Sequence, residues 1–198
     1  MNQEEESNVR LCRCRDAQNP LFLRAMDLYR QSFPEHEQRL WPDQLSAMED
    51  EAYHALLARR EGELAGLAFC WDFDAYLYVE HLCVAPRLRG QGIGQRILAL
   101  LACAGKPVVL EIDPPEEEIS IRRRHFYERC GYVANSFAHV HPPYRPGFTG
   151  HRLVVMSSPR VLSQEERERF ARDLRLRVMC YASPPAAEKP ESGLKKGC

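Results

Sequence analysis

The stretch Val84-Ala-Pro-Arg-Leu-Arg-Gly-Gln-Gly-Ile-Gly94 decides the fold. An apolar run closes at Val84, Pro86 turns the chain, and Gly90, Gly92 and Gly94 follow Arg89 at alternate positions. Ile93, Ile97, Leu100 and Leu101 then recur at helical spacing. The order is strand, glycine-rich loop, helix start. The first N–H groups of a helix have no partner within it, and its N-terminus carries a partial positive charge, so this is an anion site. Glycine lets the backbone approach the anion with no Cβ in the way, which suits a pyrophosphate. A Walker A loop would continue Gly-Lys-Ser/Thr, and Gly94 is followed by Gln95. A dinucleotide fingerprint would read Gly-x-Gly-x-x-Gly, and this loop reads Gly-x-Gly-x-Gly.

A second motif agrees. Arg124-His125-Phe126-Tyr127-Glu128-Arg129-Cys130-Gly131-Tyr132 reads as a helix end. Gly131 suits the left-handed position that stops a helix, and Tyr132 and Val133 begin a strand. Arg89-x-x-Gly92-x-Gly94 after Val84-x-Pro86, together with Phe126-Tyr127-x-x-x-Gly131-Tyr132, resembles the GNAT N-acetyltransferase superfamily. Residues from about Val9 to Met179 can be laid onto that fold, although only the two motifs are specific. The resemblance implies an α/β protein: a mixed, mainly antiparallel sheet of about seven strands flanked by helices. It implies acetyl-CoA as cosubstrate and no metal. The reaction would move an acetyl group to a primary amine by direct attack on the thioester. The rival is a non-catalytic acyl-CoA-binding sensor, since fold does not establish function.

Composition narrows the class further. The chain has 198 residues and a formal net charge of −1, without the basic excess of a nucleic-acid binder. It holds no run of 18 apolar residues, so no membrane span is expected. Met1-Asn-Gln-Glu-Glu-Glu-Ser7 lacks the basic and apolar parts of a signal peptide, which gives a cytoplasmic expectation. Of the eight cysteines, Cys70, Cys83 and Cys103 lie in apolar segments, where a free thiol packs as a small hydrophobe. Cys12-x-Cys14 lacks zinc spacing, and His139-x-His141 reads as a strand end before Pro142-Pro143. The acceptor would be a small-molecule or peptide amine, and the protein a monomer or homodimer.

The rest of the chain fills in the elements. Strands are expected at Val9–Arg15, Tyr53–Arg60, Leu64–Trp71, Tyr76–Val84, Pro107–Ile112, Tyr132–Val140 and Leu153–Met156. Helices are expected after Asn19-Pro20, over 35–49 with an interruption near Trp41-Pro42, from the glycine loop to about Ala104, and over 116–130. Ser163-Gln-Glu-Glu166 is a capping box that opens an extra C-terminal helix, with Phe170, Leu174 and Val178 facing inward. The domain then spans residues 9–180, between a tail at 1–8 and a disordered tail at 181–198.

Acetyl transfer to an amine needs a proton acceptor, donors for the oxyanion and an acid for the thiolate. Glu80 sits in the apolar strand Tyr76-Leu-Tyr-Val-Glu-His-Leu-Cys-Val84, where lost hydration should raise its pKa. Strand alternation puts it on one face with Tyr78 and Leu82, and His81 on the other. The family places a base on this strand, where it has one, which makes Glu80 the candidate. By the same resemblance Tyr127 is the candidate acid, and backbone N–H groups of Leu82, Cys83 and Val84 the oxyanion donors. CoA contacts would come from Leu82, Cys83, Val84, Arg89, Gly90, Gln91, Gly92, Ile93, Gly94, Gln95, Arg123 and Phe126. Ser120 stands where many members have a pantetheine-binding Asn. Candidates for the acceptor pocket are Phe33, Glu35, Glu37, Tyr78 and Tyr144. Cys83 is a poor nucleophile, because a buried thiol keeps a raised pKa.

Overall fold

The computed structural model describes residues 9–183. The tail expected at 1–8, and residues 184–198 of the tail expected from 181, lie outside the described residues. Strand β1 covers Val9–Cys14. Helix α1 covers Pro20–Ser32; the Asn19 side chain accepts from the Leu21 N–H at 2.9 Å, and Pro20 occupies the first turn, where its missing donor costs nothing. A single turn of 3-10 helix at Glu35–Glu37 and an extended link follow, then α2 at Trp41–Glu49 with Pro42 in its first turn. The expected helix over 35–49 is therefore two pieces.

Strands β2 (Tyr53–Arg60), β3 (Glu63–Asp72) and β4 (Leu77–Val84) form an antiparallel meander. In β3 every residue from Leu64 to Trp71 is buried, the mark of a strand covered on both faces. Next come α3 (Ile93–Ala102), β5 (Val108–Ile112), α4 (Glu118–Arg129), β6 (Val133–Ala134), β7 (His139–His141), β8 (His151–Ser158) and α5 (Gln164–Asp173). The sheet order is β1-β2-β3-β4-β5-β8-β6, with β7 also paired to β8. Strands β4 and β5 are parallel, and the other pairings are antiparallel.

One apolar layer packs α1, α2 and α5 on one face of the sheet through Phe22, Tyr29, Ala47, Phe69, Trp71 and Phe170. The other packs α3 and α4 on the opposite face through Ile93, Ile97, Leu101, Leu110 and Tyr127. The Ser163–Glu166 capping box forms, and Phe170, Leu174 and Val178 are all buried. The chain stays packed past 180: Tyr181 stacks on Trp71 at 5.7 Å and Ser183 donates to Asp43 at 2.7 Å. The ordered unit thus extends past the expected boundary.

The expected strand over 132–140 is split, and Asn135 is the reason. Its side-chain amide donates to the Val155 carbonyl and to Ser157 Oγ, and its amide oxygen accepts from the Leu162 N–H. A side chain that takes over ladder bonds lets the backbone leave the sheet before β7 rejoins it. Among the described residues, no helix is long and apolar enough to cross a membrane.

Candidate active site

Strands β4 and β5 pair through Leu77–Val79 and Val108–Leu110 and then separate, although β4 continues to Val84 and β5 to Ile112. A parallel pair that splays leaves one edge of β4 without a ladder partner. A cleft of about 1390 Å³ opens at this point. Leu82, Cys83 and Val84 form one wall, Ile93, Gly94 and Gln95 at the start of α3 another, and Phe126 and Tyr127 of α4 a third.

The glycine loop has the strand–loop–helix geometry that its spacing predicts. Gly92 is the residue before α3, at φ +73°, a conformation that side-chain-bearing residues rarely adopt. No side chain caps the helix, so its first N–H groups face the cleft end unpaired. Gly94 serves a different need: a Cβ there would sit 3.1 Å from the Phe126 ring. Arg89 and Gly90 also line the cleft, and the Arg89 side chain bonds back to the Val84 carbonyl at 3.3 Å.

Two of the expected CoA contacts have side chains engaged within the protein. Gln91 turns off the cleft; its side chain accepts from Arg60 and donates to the Arg87 carbonyl. Ser120 lines the cleft, and its buried hydroxyl accepts from the Glu117 N–H at 3.0 Å and donates to the Glu117 carbonyl at 2.9 Å. Arg123 lines the cleft but pairs with Asp113 at 2.5 Å. Both partners are nearly half exposed, so a phosphate can compete for that guanidinium.

Glu80 is where the expected chemistry changes most. The β3–β4 register slips at this point: Phe69 faces His81, Cys70 faces Val79, and Glu80 has no partner. This is a β-bulge, and it cancels the alternation expected of Glu80 and His81. Both side chains now reach the ring of Tyr144: Glu80 Oε1 accepts from its hydroxyl at 2.8 Å, and the His81 ring lies 5.7 Å from it. Glu80 has no exposed side-chain surface and is ion-paired with Arg39 at 2.5 Å, also fully buried. The Trp71 indole donates to the other carboxylate oxygen at 2.9 Å. Burial pushes the Glu80 carboxyl up, but Arg39, His81 and these hydrogen bonds outweigh it and hold the group at about 2. The raised pKa expected for a base is reversed, so Glu80 is a buried ion-pair partner and a poor proton acceptor at neutral pH.

Arg39 is built in on every side. Its remaining donors reach the Val178 and Tyr181 carbonyls, and its guanidinium lies over the Trp71 and Tyr144 rings. The segment that follows α5 therefore holds Arg39, and through it Glu80, in place. Burial also holds the His81 imidazole down at about 4, as a neutral ring packed edge-on to Tyr29 and Phe33. Its Nε2 meets the Glu37 carbonyl at 2.9 Å, which ties the chain before α2 to β4. A second buried carboxylate escaped the sequence reading. Glu111 of β5 contacts Tyr78, His139 and His141, and these partners hold its carboxyl below the usual range in spite of burial. Its signal was the same as that of Glu80: one acid inside an apolar strand, Val108-Val-Leu-Glu-Ile112.

Tyr127 lines the cleft, and burial pushes its phenol up to about 12, so it is protonated at neutral pH. Burial likewise raises the Cys83 thiol to about 11, away from nucleophilic use. Of the acceptor candidates, Phe33, Glu37, Tyr78 and Tyr144 line the cleft. Glu35 does not; it is exposed and pairs with Arg145 at 2.6 Å. Arg145 also donates to the Gln38 carbonyl at 2.8 Å, and this fastens the loop between β7 and β8 to the segment before α2.

The geometry agrees with the relatives of this sequence. The acetyltransferase (GNAT) family model matches residues 22–132. The chain is 32% identical over 105 residues to the blasticidin-S acetyltransferase of Streptomyces morookaense, covering 52% of this chain and 74% of that protein. It is 29% identical over 119 residues to YjbC of Bacillus subtilis (strain 168), named as an acetyltransferase, and the match spans 59% of each. A solved GNAT-family structure from Bacteroides thetaiotaomicron superposes with a TM-score of 0.80 at 27% identity, covering 86% of this chain and 98% of that one. A splayed β4–β5 pair, an uncapped α3 behind a glycine loop and a matching sequence over half the chain have one reading: the protein belongs to the GNAT acetyltransferase family.

Proposed function

We propose that the protein transfers the acetyl group of acetyl-CoA to a primary amine of a small molecule. The observation that carries this reading is the convergence of three features on one cleft: the unpaired edge of β4, the uncapped start of α3 and the Tyr127 phenol. The amide groups of the pantetheine arm would pair with Leu82–Val84 as an added strand does. The pyrophosphate would lie against Gly90–Gln95, with Arg89 and Arg123 at its margin. Backbone N–H groups of Leu82–Val84, fixed by the fold, would meet the oxyanion as it forms. Tyr127 would protonate the departing thiolate.

A small acceptor is favoured over a peptide by the loop fastened through Arg145, whose Tyr144 lines the cleft. One relative is named for the acetylation of blasticidin S. The test is calorimetric titration with acetyl-CoA, followed by thiol release across a panel of small amines and short peptides. Turnover with a small amine supports the reading. Turnover with peptides alone moves the acceptor class, binding without any turnover favours the sensor, and no acetyl-CoA binding removes the proposal.

Tyr127→Phe tests the acid separately. A CoA thiolate is a good leaving group, so the loss in kcat should be about tenfold, below the roughly 10²-fold of a demanding proton transfer. KM for acetyl-CoA should hardly move. A wild-type kcat would reduce Tyr127 to packing between α4 and the sheet.

A further inference from the structure

With Glu80 withdrawn into an ion pair, the proposed reaction lacks a proton acceptor, and the cleft holds few candidates. Glu111 is closed in by Tyr78 and the two histidines. Asp113 is paired with Arg123, and the Glu117 side chain caps the first turn of α4. Glu37 differs from all of these. Its side chain lines the cleft and keeps 23% of its exposure. Its ion-pair contact among the described residues is His36, at 3.6 Å. The guanidinium whose charge it feels, Arg123, is paired with Asp113, while Arg39 is held by Glu80 and Arg145 by Glu35. Its position is fixed, because its carbonyl is tied to His81 on β4, one residue before the unpaired edge at Leu82.

We infer that Glu37 is the residue that binds the acceptor's ammonium group and takes its proton, an inference that rests on the transferase reading above. The groups around it suit that role. Burial, then the negative charge of Asp113 and more weakly that of Glu111, raise its carboxyl to about 7 against the lowering pull of Arg123. His36 beside it and His151 across from His36 complete the surroundings, with the ring centres 5.2 Å apart. Both ring nitrogens of His151 are buried and without a hydrogen-bond partner, so the wall has polar atoms to offer an acceptor. A carboxylate poised near neutrality can accept a proton and release it again to solvent.

The proton balance closes. The ammonium gives one proton to the Glu37 carboxylate, and the freed lone pair attacks the thioester carbonyl carbon. The C–N bond forms and the oxyanion develops. As the carbonyl re-forms, the C–S bond breaks and the sulfur takes the Tyr127 proton. The surplus proton on nitrogen returns to the Tyr127 phenolate. Glu37 loses its proton to solvent on product release. The net products are the acetylated amine, the CoA thiol and one proton.

The experiment compares wild type and Glu37→Gln in acetyl-CoA affinity and in kcat/KM from pH 5.5 to 9.5. For wild type, kcat/KM should rise through a limb near pH 7, because only ionised Glu37 can accept the proton. Glu37→Gln should lose that limb and about 10²-fold in kcat, with its acetyl-CoA affinity unchanged. Amines of lower basicity should recover most of the lost rate, because they arrive already neutral. A variant with wild-type kcat and the same limb would overturn the assignment while leaving the transferase intact. A wild type that binds acetyl-CoA but acetylates no amine would overturn the transferase reading and the base with it.

Discussion

Arg39→Met is expected to destabilise the fold by about 3–5 kcal/mol at pH 7, the usual cost of removing one partner from a buried ion pair. The cause is the charge left behind. Glu80 has no exposed side-chain surface, and its remaining donors, Trp71 and Tyr144, are both neutral. Met also leaves the Val178 and Tyr181 carbonyls without the donors Arg39 now supplies, so α5 and the turn after it should loosen first. The pH dependence has a definite sign. In wild type the Glu80 carboxyl lies below its unfolded value, so its contribution is complete above about pH 5 and is lost as pH falls towards 2. In the variant, burial without Arg39 raises that carboxyl, and stability is instead lost as pH rises. The gap between the two proteins in urea unfolding should therefore be largest near pH 7 and narrow towards pH 4. The double change Arg39→Met with Glu80→Leu removes the buried charge and should recover most of the loss. A single variant within about 1 kcal/mol of wild type, or a gap constant with pH, would mean that solvent reaches Glu80.

What the sequence made legible was local. Gly131 stops α4 at φ +85°, the Ser163 capping box opens α5, and the glycine loop precedes α3, each because a few adjacent residues satisfy their own backbone. Strand existence was legible for the same reason, through short apolar runs. What stayed hidden depends on partners far along the chain. No residue near Glu80 announces the bulge, which arises where its neighbours His81 and Val79 pair with the adjacent Phe69 and Cys70 of β3 and leave Glu80 unpaired. The break at Asn135 depends on Val155, Ser157 and Leu162. Glu80 itself stood out in the sequence, but its role turned on Arg39, Trp71 and Tyr144, which three different segments supply. A lone acid in an apolar strand has two physical outcomes, a raised pKa or a buried cation beside it, and only the fold decides between them.

Gly92→Val is expected to weaken acetyl-CoA binding by about 10³-fold while the protein stays folded. At φ +73° a β-branched residue is strained by about 1–3 kcal/mol. A Cβ at this position would meet nothing within 4 Å, so neighbouring atoms do not hold the strained geometry in place. The loop would then relax towards negative φ and carry the first N–H groups of α3 out of line. Two lost charge-assisted hydrogen bonds, at roughly 1.5–3 kcal/mol each, account for a loss of that size. The same open space is where the diphosphate would lie, so the added isopropyl group also blocks it. Strain alone can be separated from this effect. Gly105, in the turn after α3, has φ +72° and equally open surroundings, but it does not line the cleft. Gly105→Val should therefore lower Tm by a comparable amount and leave acetyl-CoA affinity unchanged. If both variants bind acetyl-CoA within tenfold of wild type, the loop does not hold the pyrophosphate. If both lose affinity equally, the loss follows stability and says nothing special of Gly92. Only a loss confined to Gly92→Val assigns the anion to the start of α3.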